Sequence, residues 1–370
     1  MKSVLFFSEQ LDGGGAEQIL KNTLLKIDRE KFDVTAVTQE YCEDSPIEHK
    51  YFFKKSDNPL KKIINKMIVK FSLTAPETLV KKVFIHKNFD VEIAFCEGNS
   101  TRLIGNAKSS PSTKKIAWVH TDMVNNPWSE SVFGGAEEEK KCYEKFDAVV
   151  CVSQTMKESF IKKYGMADKV HLIYNVLDFD SVLQQSKEPA EVNRNGEIAF
   201  VMVGRLAEVK GLDRMLDAVL KLKNDGYVFS VNLVGSGDEE EKIRKFISDN
   251  ELESFVTLLG FQKNPHKFVS KCDAYVCSSY AEGYSTTATE AIVLGVPVIT
   301  TDVSGMREIF GDKECGIICE NSTDGLYSAL KTVLDNPELL KQFSANALER
   351  AKDFDMNKRI AAVEDFIDSI

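Results

Sequence analysis

Two carboxylates, Glu282 and Glu290, lie eight residues apart around the predicted start of a helix, in the segment E-G-Y-S-T-T-A-T-E. A carboxylate accepts paired hydrogen bonds from vicinal hydroxyls, and the free N–H groups at a helix start favour an anion. The pair therefore suits a sugar phosphate, with Glu282 beside the anion and Glu290 reaching a hydroxyl from one turn further on. The alternative is a capping box at residues 287–290, with Glu282 a solvated loop charge.

A second loop, V-G-R-L-A-E-V-K-G, contains Gly204, Arg205, Lys210 and Gly211 between a predicted strand and a predicted helix. Arg is a planar fork and Lys a point charge, so two cations on a flexible glycine loop suit a diphosphate. The alternative is a surface loop with two ordinary charges.

Two further loops follow predicted strands in the same half of the chain. Gly235 belongs to V-G-S-G-D, which is either a wall for a nucleoside or a tight turn. Phe261 and Gln262 follow Gly260 and could present an aromatic face and polar groups to a base. Phe261 could equally be a core residue.

In the first half of the chain, D-G-G-G-A-E-Q at residues 12–18 joins a predicted strand to a predicted helix. Its glycines, including Gly14 and Gly15, allow backbone to approach a ligand, and the helix start favours negative charge. The loop has neither the Lys-Ser/Thr of a P-loop nor the spacing of a dinucleotide fingerprint, so nucleotide hydrolysis and hydride transfer lose support.

His120 and Asp122 end another predicted strand in K-K-I-A-W-V-H-T-D. A histidine at a strand end could bond a sugar hydroxyl, act as a general base, or be purely structural. Residues 96–102 and 151–154 also follow strands and are secondary candidates for the wall of a site.

Short apolar runs alternate with amphipathic stretches throughout, which predicts an α/β fold with parallel sheets. Strands are predicted at residues 3–7, 32–38, 91–95, 115–119, 148–152, 170–173, 198–203, 229–234, 256–259, 274–278, 298–301 and 316–319. The polar segment 178–196 lacks apolar periodicity and is the expected interdomain linker. We therefore expect two open, doubly wound, Rossmann-like domains facing a central cleft, at residues 1–178 and 179–352, followed by a C-terminal helix at 353–370.

The composition is that of a soluble globular protein, and 370 residues suffice for two domains of ordinary size. A net charge of −10 argues against a general nucleic-acid binder. Eight scattered cysteines, with Cys315 and Cys319 the closest pair, show neither zinc spacing nor a secreted disulfide framework, which favours the cytoplasm. No apolar run reaches the length of a signal peptide or a transmembrane helix.

A lysine-rich helix is predicted at residues 58–71 of this acidic chain. Residues 54–87 contain nine lysines against Asp57 and Glu77. Six apolar residues fall on one helical stripe, namely Leu60, Ile63, Ile64, Met67, Ile68 and Phe71. Such a helix suits an anionic membrane surface, and it equally suits packing on the protein's own sheet.

Taken together, these motifs resemble the retaining glycosyltransferases of family 4, also called group 1, which have the GT-B fold. The resemblance spans the chain: G-G-A-E at residues 14–17, V-S-Q at 152–154, Y-N-V at 174–176, G-R-L-x-x-x-K-G at 204–211, the two glutamates, and G-V-P-V-I-T-T-D-V-S-G at 295–305. Two departures, Gln18 in place of a basic residue and the polar run 285–287, leave the acceptor and the donor sugar undetermined.

The resemblance implies a role for each candidate. Arg205 and Lys210 would hold the donor diphosphate, with Glu290 on the ribose hydroxyls and Glu282 beside the transferred sugar. The remaining implied contacts come from Gly204, Gly235, Phe261 and Gln262 around the nucleoside, the backbone of Tyr284, Ser285, Thr286 and Thr287 around the distal phosphate and sugar, His120 on the donor sugar, and Gly14 and Gly15 near the phosphate or acceptor. The C-terminal helix would cross back onto the first domain.

The resemblance implies a reaction that moves a hexose from a nucleotide sugar to a glycan acceptor. The anomeric configuration of the sugar would be retained, and no metal or other cofactor would be needed. UDP is favoured over GDP as the nucleotide. Two D-F-D triplets, at residues 178–180 and 353–355, lie away from strand ends and do not indicate a metal site. The expected acceptor is lipid-linked, for cell-surface polysaccharide such as capsule or exopolysaccharide, at the inner face of the plasma membrane. The alternatives are a nucleotide-sugar epimerase of the same fold and a non-catalytic partner subunit.

Overall fold

The computed structural model describes residues 1–11, 13–43, 45 and 47–370. They form two compact units, residues 1–177 with 356–370 (unit 1) and residues 178–355 (unit 2). The expected boundaries fall after residues 178 and 352.

Unit 1 begins with a parallel α/β sheet. Its described elements are β1 (Lys2–Ser8), α1 (Gly15–Lys26), β2 (Phe32–Glu40), β3 (Lys50–Phe53), α2 (Pro59–Thr74), α3 (Glu77–Phe84), β4 (Val91–Ala94), α4 (Asn99–Asn106), β5 (Lys114–Val119), α5 (Glu130–Phe133), α6 (Ala136–Tyr143), β6 (Ala148–Cys151), α7 (Gln154–Tyr164) and β7 (Val170–Leu172). The strand order is β3-β2-β1-β4-β5-β6-β7. Residues 4–7 of β1 are fully buried, as expected for a central parallel strand covered on both faces.

Unit 2 has a second parallel sheet. Its described elements are α8 (Phe179–Gln185), β8 (Ala199–Val203), a 3₁₀ turn (Glu208–Lys210), α9 (Leu212–Asn224), β9 (Ser230–Val234), α10 (Glu240–Asp249), β10 (Val256–Gly260), α11 (His266–Val269), β11 (Ala274–Cys277), α12 (Thr286–Val293), β12 (Val298–Thr301), α13 (Met306–Phe310), β13 (Gly316–Cys319), α14 (Thr323–Asp335) and α15 (Glu338–Ala351). The strand order is β10-β9-β8-β11-β12-β13.

Both sheets reverse their strand order at one point. In unit 1 the reversal lies between β1 and β4, and in unit 2 it lies between β8 and β11. The loops that leave such neighbouring strands diverge to opposite faces of the sheet, which opens a crevice at the carboxyl ends of the strands. The loop that starts at Gly204 and the loop that ends at Ser285 flank this point in unit 2.

The hydrophobic core of unit 2 fixes the helix that follows the Gly204 loop. Leu212, Met215, Leu216 and Val219 recur at helical spacing on α9 and are each at most 3% exposed. They pack in one cluster with Phe200 of β8. Because this apolar face of α9 is buried, the loop between β8 and α9 is held at both ends.

The C-terminal helix, α16 (Met356–Ser369), packs within unit 1. Lys2 Nζ donates to the carbonyl of Ile367 at 2.9 Å, and the backbone N–H of Asp28 donates to Glu364 at 2.8 Å. Val363 and Ile367 are fully buried. The expected return of this helix to the first domain is confirmed.

The predicted parallel α/β fold is confirmed, and two local expectations are corrected. The sequence pattern does not predict β3, a four-residue edge strand. Segment 178–196 is not an unstructured linker, because it begins with α8. In the first turn of this helix, the N–H of Ser181 donates to the side chain of Asp178 at 3.1 Å. Further along, Asn193 is tied to the sheet, since its N–H donates to Asn232 Oδ1 at 2.8 Å.

Candidate active site

In unit 2, the loop after β8, which contains Lys210, touches the loop after β11, which contains Glu282. The contact lies where the strand order of the sheet reverses. Gly211 has φ of +60°, and a Cβ added there would lie 2.1 Å from the carbonyl oxygen of Ser278. Ser278 Oγ in turn donates to the carbonyl of Lys210 at 2.8 Å. Glycine at 211 therefore allows the loop after β8 to lie against the loop after β11.

Lys210 and Glu282 form an ion pair across these loops, with Nζ 2.7 Å from Oε1. Ser279 Oγ donates to the same carboxylate oxygen at 2.6 Å. Burial of Lys210 lowers its pKa, but the neighbouring Glu282 carboxylate raises it, and the net shift is upward. Lys210 is therefore a cation, and its charge is balanced by Glu282.

Arg205 lies on the same loop and is exposed. Within the described part of the chain its guanidinium makes no hydrogen bond or ion pair, so its donors are available to a ligand. Gly204 N–H donates to the carbonyl of Val234 at 3.0 Å, which joins this loop to the strand that precedes Gly235. A Cβ added at Gly235, where φ is +147°, would lie 1.8 Å from the carbonyl oxygen of Gly204.

Helix α12 begins beside the ion pair. Its N-cap is Ser285, whose hydroxyl accepts from the N–H of Ala288 at 3.3 Å. The capping box at residues 287–290 is therefore wrong, and Glu290 is not engaged in capping. The N–H groups of Thr286 and Thr287 lie in the first turn, where a helix has no internal acceptor for them. Such a terminus suits an anion.

Some of the side chains around this helix start are hydrogen-bonded or buried within the protein. Thr287 Oγ1 lies 2.7 Å from the hydroxyl of Tyr275, a residue of β11. Tyr284 and Ser285 are buried, at 6% and 4% exposure. The backbone contacts that the resemblance implies for residues 284–287 remain a prediction.

Glu290 lies on α12 next to a histidine that the sequence analysis did not single out. His266 Nε2 is 3.2 Å from Glu290 Oε2, and His266 Nδ1 is 3.1 Å from Gln185 Oε1. The side chains of His266 and Glu290 are 13% and 14% exposed. No local motif marks His266, because its partner is brought to it only by the packing of α11 on α12.

The other nucleoside-wall candidates follow β10. Phe261 is 72% exposed, so its interpretation as a core residue is wrong. Gln262 is half-buried, and its Nε2 donates to the carbonyl of Leu259 at 2.8 Å. Phe261 therefore offers an uncovered aromatic face.

The glycine loop of unit 1 precedes α1. Gly14 is the N-cap of this helix, with an extended backbone, and Gly15 is its first residue. A Cβ at Gly14 would lie 2.5 Å from a carboxylate oxygen of Glu17, which folds over the loop. Asp12 lies outside the described residues.

His120 follows β5 and has a buried ring. Burial lowers its pKa to about 3, against a hydrogen bond to the Phe95 backbone that raises it. Among the described residues, its Nε2 has no hydrogen-bond partner. His120 is therefore a neutral imidazole with one uncommitted nitrogen, whereas Asp122 accepts from the backbone of Val124 at 3.0 Å and shapes the turn.

Glu97, in the secondary wall segment 96–102, supports the backbone at His120. Its Oε1 accepts from the N–H of His120 at 2.6 Å and of Thr121 at 2.5 Å. Burial raises the pKa of Glu97 to about 7, while these backbone hydrogen bonds lower it. The other secondary segment, 151–154, contributes Ser153, whose hydroxyl caps α7 by accepting from Met156 N–H.

Helix α2 carries the predicted apolar stripe on its surface. Leu60, Ile63, Ile64 and Met67 are 72%, 57%, 53% and 66% exposed. Lysines 61, 62, 66 and 70 are exposed beside them, whereas Phe71 contacts Phe84 with ring centroids 6.3 Å apart. Ile68 and Phe71 are partly buried, so the stripe packs on unit 1 in part and leaves its other four residues exposed. No described helix is long and apolar enough to cross a membrane.

Two observations concern metal binding. The cysteines are free thiols, including Cys315 and Cys319. Over residues 1–11, 13–43, 45 and 47–370, no cluster of three or more His, Cys, Asp or Glu side chains is placed to hold a metal ion.

Two Rossmann-like sheets with glycine loops at their switch points define the GT-B class, and solved structures share this fold over the whole chain. HepE from Anabaena, in complex with UDP and glucose, has a TM-score of 0.76 and 18% identity over 100% of both chains. Sucrose-phosphate synthase from Thermosynechococcus elongatus has a TM-score of 0.76 and 17% identity over 100% of this chain and 99% of that one. At these identities the likeness concerns the fold.

Sequence comparisons narrow the class to a family. Residues 183–350 match the family described as Glycosyl transferases group 1, and residues 13–181 match Glycosyltransferase Family 4. An uncharacterized glycosyltransferase from Methanocaldococcus jannaschii is 31% identical over 68% of this chain and 71% of its own length. The chain belongs to the group 1 glycosyltransferases of family 4.

A relative with a described activity covers the full length. The N-acetylgalactosamine-N,N'-diacetylbacillosaminyl-diphospho-undecaprenol 4-alpha-N-acetylgalactosaminyltransferase of Campylobacter jejuni is 28% identical over 97% of this chain and 97% of its own. That relative acts on a lipid-linked glycan, as its name states.

Proposed function

We propose that this glycosyltransferase moves a hexosyl group from a UDP-sugar to a lipid-linked glycan with retention of the anomeric configuration. The observation that carries the proposal is the cation at Lys210, set beside Glu282 and the start of α12 at the switch point of unit 2. A diphosphate at this position meets Lys210, the donors of Arg205 and the first-turn N–H groups of α12. Glu290 supplies a carboxylate for ribose hydroxyls one turn further along the helix.

The proposed chemistry is charge stabilisation. The bond from the anomeric carbon to the diphosphate breaks, and negative charge develops on the departing phosphate oxygen. Lys210, Arg205 and the helix start stabilise that charge. The acceptor oxygen bonds the anomeric carbon on the face from which the phosphate leaves, and the departing phosphate oxygen takes the acceptor's proton. No metal is required, because the cations of this loop neutralise the diphosphate.

In this scheme, Glu282 lies beside the transferred sugar. Its carboxylate is held by Lys210 and Ser279 at 2.7 and 2.6 Å, so its position is set before the donor arrives. A fixed carboxylate accepts hydrogen bonds from sugar hydroxyls. It is not proposed as a general base. The implied contacts of Gly14, Gly15 and His120 remain predictions.

The proposed acceptor is a glycan on a lipid diphosphate carrier. The Campylobacter relative acts on a glycan joined through diphosphate to undecaprenol. The exposed apolar stripe of α2 with its flanking lysines suits the anionic cytoplasmic face of a membrane, where such a carrier resides. A role in cell-surface polysaccharide synthesis accords with the O-antigen biosynthesis glycosyltransferase of Escherichia coli, 27% identical over 150 residues. Capsule and exopolysaccharide remain the expected products.

The test is a product assay with UDP-glucose, UDP-N-acetylglucosamine and UDP-N-acetylgalactosamine, each with and without a polyprenyl-diphosphate glycan. We expect one donor to yield glycosylated acceptor with an α linkage by NMR, at an unchanged rate in excess EDTA. A donor converted to its epimer without acceptor would indicate the epimerase alternative. Donor left intact under every condition would indicate the non-catalytic subunit, and either result would overturn the proposal.

A further inference from the structure

Trp128 lies on the loop that follows β5 of unit 1, and its indole ring is uncovered. The chain has two tryptophans, of which Trp118 is 2% exposed and Trp128 is 44% exposed. Among the described residues, none accepts a hydrogen bond from the indole N–H of Trp128. A single exposed hydrophobic side chain is ordinary on a protein surface, so the placement and the rigidity of this one decide what it indicates.

The indole is held against the turn that follows β4. A Cβ added at Gly98, where φ is +75°, would lie 2.8 Å from Cη2 of Trp128. Glycine at this position therefore lets the six-membered ring of the indole pack on the backbone. The preceding residue, Glu97, accepts from the N–H groups of His120 and Thr121 at 2.6 and 2.5 Å. One turn, at the carboxyl ends of the adjacent strands β4 and β5, therefore holds both His120 and Trp128.

The loop that carries the indole is also fixed on its other side. Ser129 and Glu139 are fully buried, and Ser129 Oγ donates to Glu139 Oε1 at 2.6 Å. The hydroxyl of Tyr164 donates to the second oxygen of the same carboxylate at 2.5 Å. Lys163 Nζ donates to the carbonyl of Met123 at 2.5 Å. Because the loop is fixed in this way, a ligand that binds the ring has little ordering cost to overcome.

The charged groups near the indole suit hydroxyls better than phosphate. Lys163 contacts this loop, but it is paired with Glu130 at 2.7 Å. At the start of α4, which follows Gly98, the carboxylate of Glu9 accepts from Asn99 Nδ2 at 3.2 Å. Carboxylates accept hydrogen bonds from hydroxyls, whereas a phosphate is recognised by cations that are free to bind it. The surroundings of Trp128 therefore favour a neutral sugar over a diphosphate.

We propose that Trp128 is a stacking surface for a sugar ring of the acceptor glycan. The proposal rests on the proposed function, which supplies the glycan and assigns the donor diphosphate to unit 2. The C–H face of a pyranose ring packs on the negative face of an aromatic ring, and its hydroxyls bond polar groups at the edge of that ring. Since Trp128 would contact the acceptor and not the nucleotide, its loss should raise the KM for the acceptor and leave donor binding intact.

The kinetic test is transfer by wild type and Trp128→Ala to the polyprenyl-diphosphate glycan that the product assay identifies as the acceptor. We expect the KM for this acceptor to rise at least about 10-fold, as for the loss of one buried aromatic side chain. The kcat at saturating acceptor should stay within about 2-fold of wild type, and the Kd for UDP should be unchanged. Trp128→Phe, which retains an aromatic face, should recover most of the loss. Val124→Ala, at a residue of the same loop that is 42% exposed, is the matched control.

Tryptophan fluorescence tests the contact directly. Because Trp118 is buried, acrylamide quenching of the wild-type protein reports mainly on Trp128. In one detergent, the polyprenyl-diphosphate glycan should lower the quenching constant, and the same polyprenyl diphosphate without its sugars should leave it unchanged. Equal protection by the sugar-free carrier would assign the ring to the lipid and overturn the proposal.

The outcomes also separate this proposal from the proposed function. Wild-type protein that glycosylates no acceptor would reject the proposed function, and the role of Trp128 with it. Transfer by wild type, with an unchanged acceptor KM in Trp128→Ala or an equal loss of UDP binding in that variant, would reject the role of Trp128 alone.

Discussion

Lys210 and Glu282 pair at 2.7 Å across two loops that leave adjacent strands of one sheet. Neither residue has a role in the core, and both lie where the strand order reverses. An ion pair held at the mouth of a crevice keeps a cation ready for an anionic ligand and supplies the carboxylate that balances it until the ligand arrives. Removing either charge should therefore alter function more than it alters the fold.

The substitution Lys210→Met should lower kcat/KM by at least about 10², as for the loss of one strong charge-stabilising contact to a departing phosphate. The measurement is steady-state transfer with the donor identified by the product assay. Lys341→Met, at an exposed lysine paired with Glu338, is the matched control. A Lys210→Met enzyme with the wild-type rate would refute the assignment of this loop to the diphosphate.

Gly235→Ala should destabilise unit 2, because the new Cβ would lie 1.8 Å from the carbonyl oxygen of Gly204 at a φ of +147°. Overpacking and backbone strain together should cost about 3 kcal/mol. Gly226→Ala is the control, since Gly226 also has a positive φ but no atom within 4 Å of the added Cβ. It should cost about 1 kcal/mol. Equal free energies of unfolding in urea for the two variants would show that the close approach at Gly235 is not constraining.

Glu97 should make the stability of the protein depend on pH. Its pKa is raised to about 7 by burial, from an ordinary value of 4.5, so the folded state binds this proton more tightly than the unfolded state does. Stability contributed by the protonated carboxyl is present below about pH 4.5 and is lost as pH rises through about 7. Glu97→Gln, which retains an acceptor for the His120 and Thr121 N–H groups, should remove that loss.

The measurement is the difference in free energy of unfolding between Glu97→Gln and wild type, in urea at pH 5 and at pH 8. The variant should gain on wild type as pH rises. The lowered pKa of His120 makes stability rise with pH between about 3 and 6.5, but it acts in both proteins and cancels from the difference. Glu253→Gln at an exposed position is the control, and a Glu97→Gln difference that is equal at both pH values would contradict the prediction.

The double substitution Ile63→Asn with Met67→Gln on α2 should weaken binding to vesicles that contain phosphatidylglycerol by more than about 10-fold, because each buried apolar side chain contributes roughly 1.5–3 kcal/mol. Its thermal stability should be unchanged, since these side chains are 57% and 66% exposed in the free protein. The measurement is vesicle co-sedimentation at two salt concentrations. Val228→Asn, at a residue of unit 2 that is 57% exposed, is the control. Equal binding of the double variant and wild type would exclude α2 as the contact surface.

The strands that could be predicted from the sequence are those with a short continuous apolar run, including β13, whose residues are only half-buried. β12 and β13 occur at the predicted residues, and most other strands differ by one residue at an end. β3 (K-Y-F-F) is not predicted, because it begins with an exposed lysine and an exposed tyrosine and has one buried residue, Phe52. Segment 178–196 was misassigned because its polar residues cap α8 and bond the sheet instead of facing water.

The candidate site also contains residues that could be predicted from the sequence and one that could not. Lys210 and Glu282 could be predicted as neighbours, because parallel strands present their carboxyl ends at one edge of a sheet. The place of Glu290 in the fold could also be predicted, but not the histidine beside it. His266 lies beside Glu290 because α11 packs against α12, and its other ring nitrogen contacts Gln185. No periodic pattern in the sequence predicts this contact.

The most direct test of the central claim is calorimetric titration of wild-type protein and Lys210→Met with UDP, GDP, ADP and CDP. We expect wild type to bind one of these nucleotides, with UDP favoured, in a ratio of one to one. Lys210→Met should bind the same nucleotide at least about 10-fold more weakly, as for the loss of a charged hydrogen bond. Absence of binding by wild type to every nucleoside diphosphate, or equal binding by Lys210→Met, would contradict it.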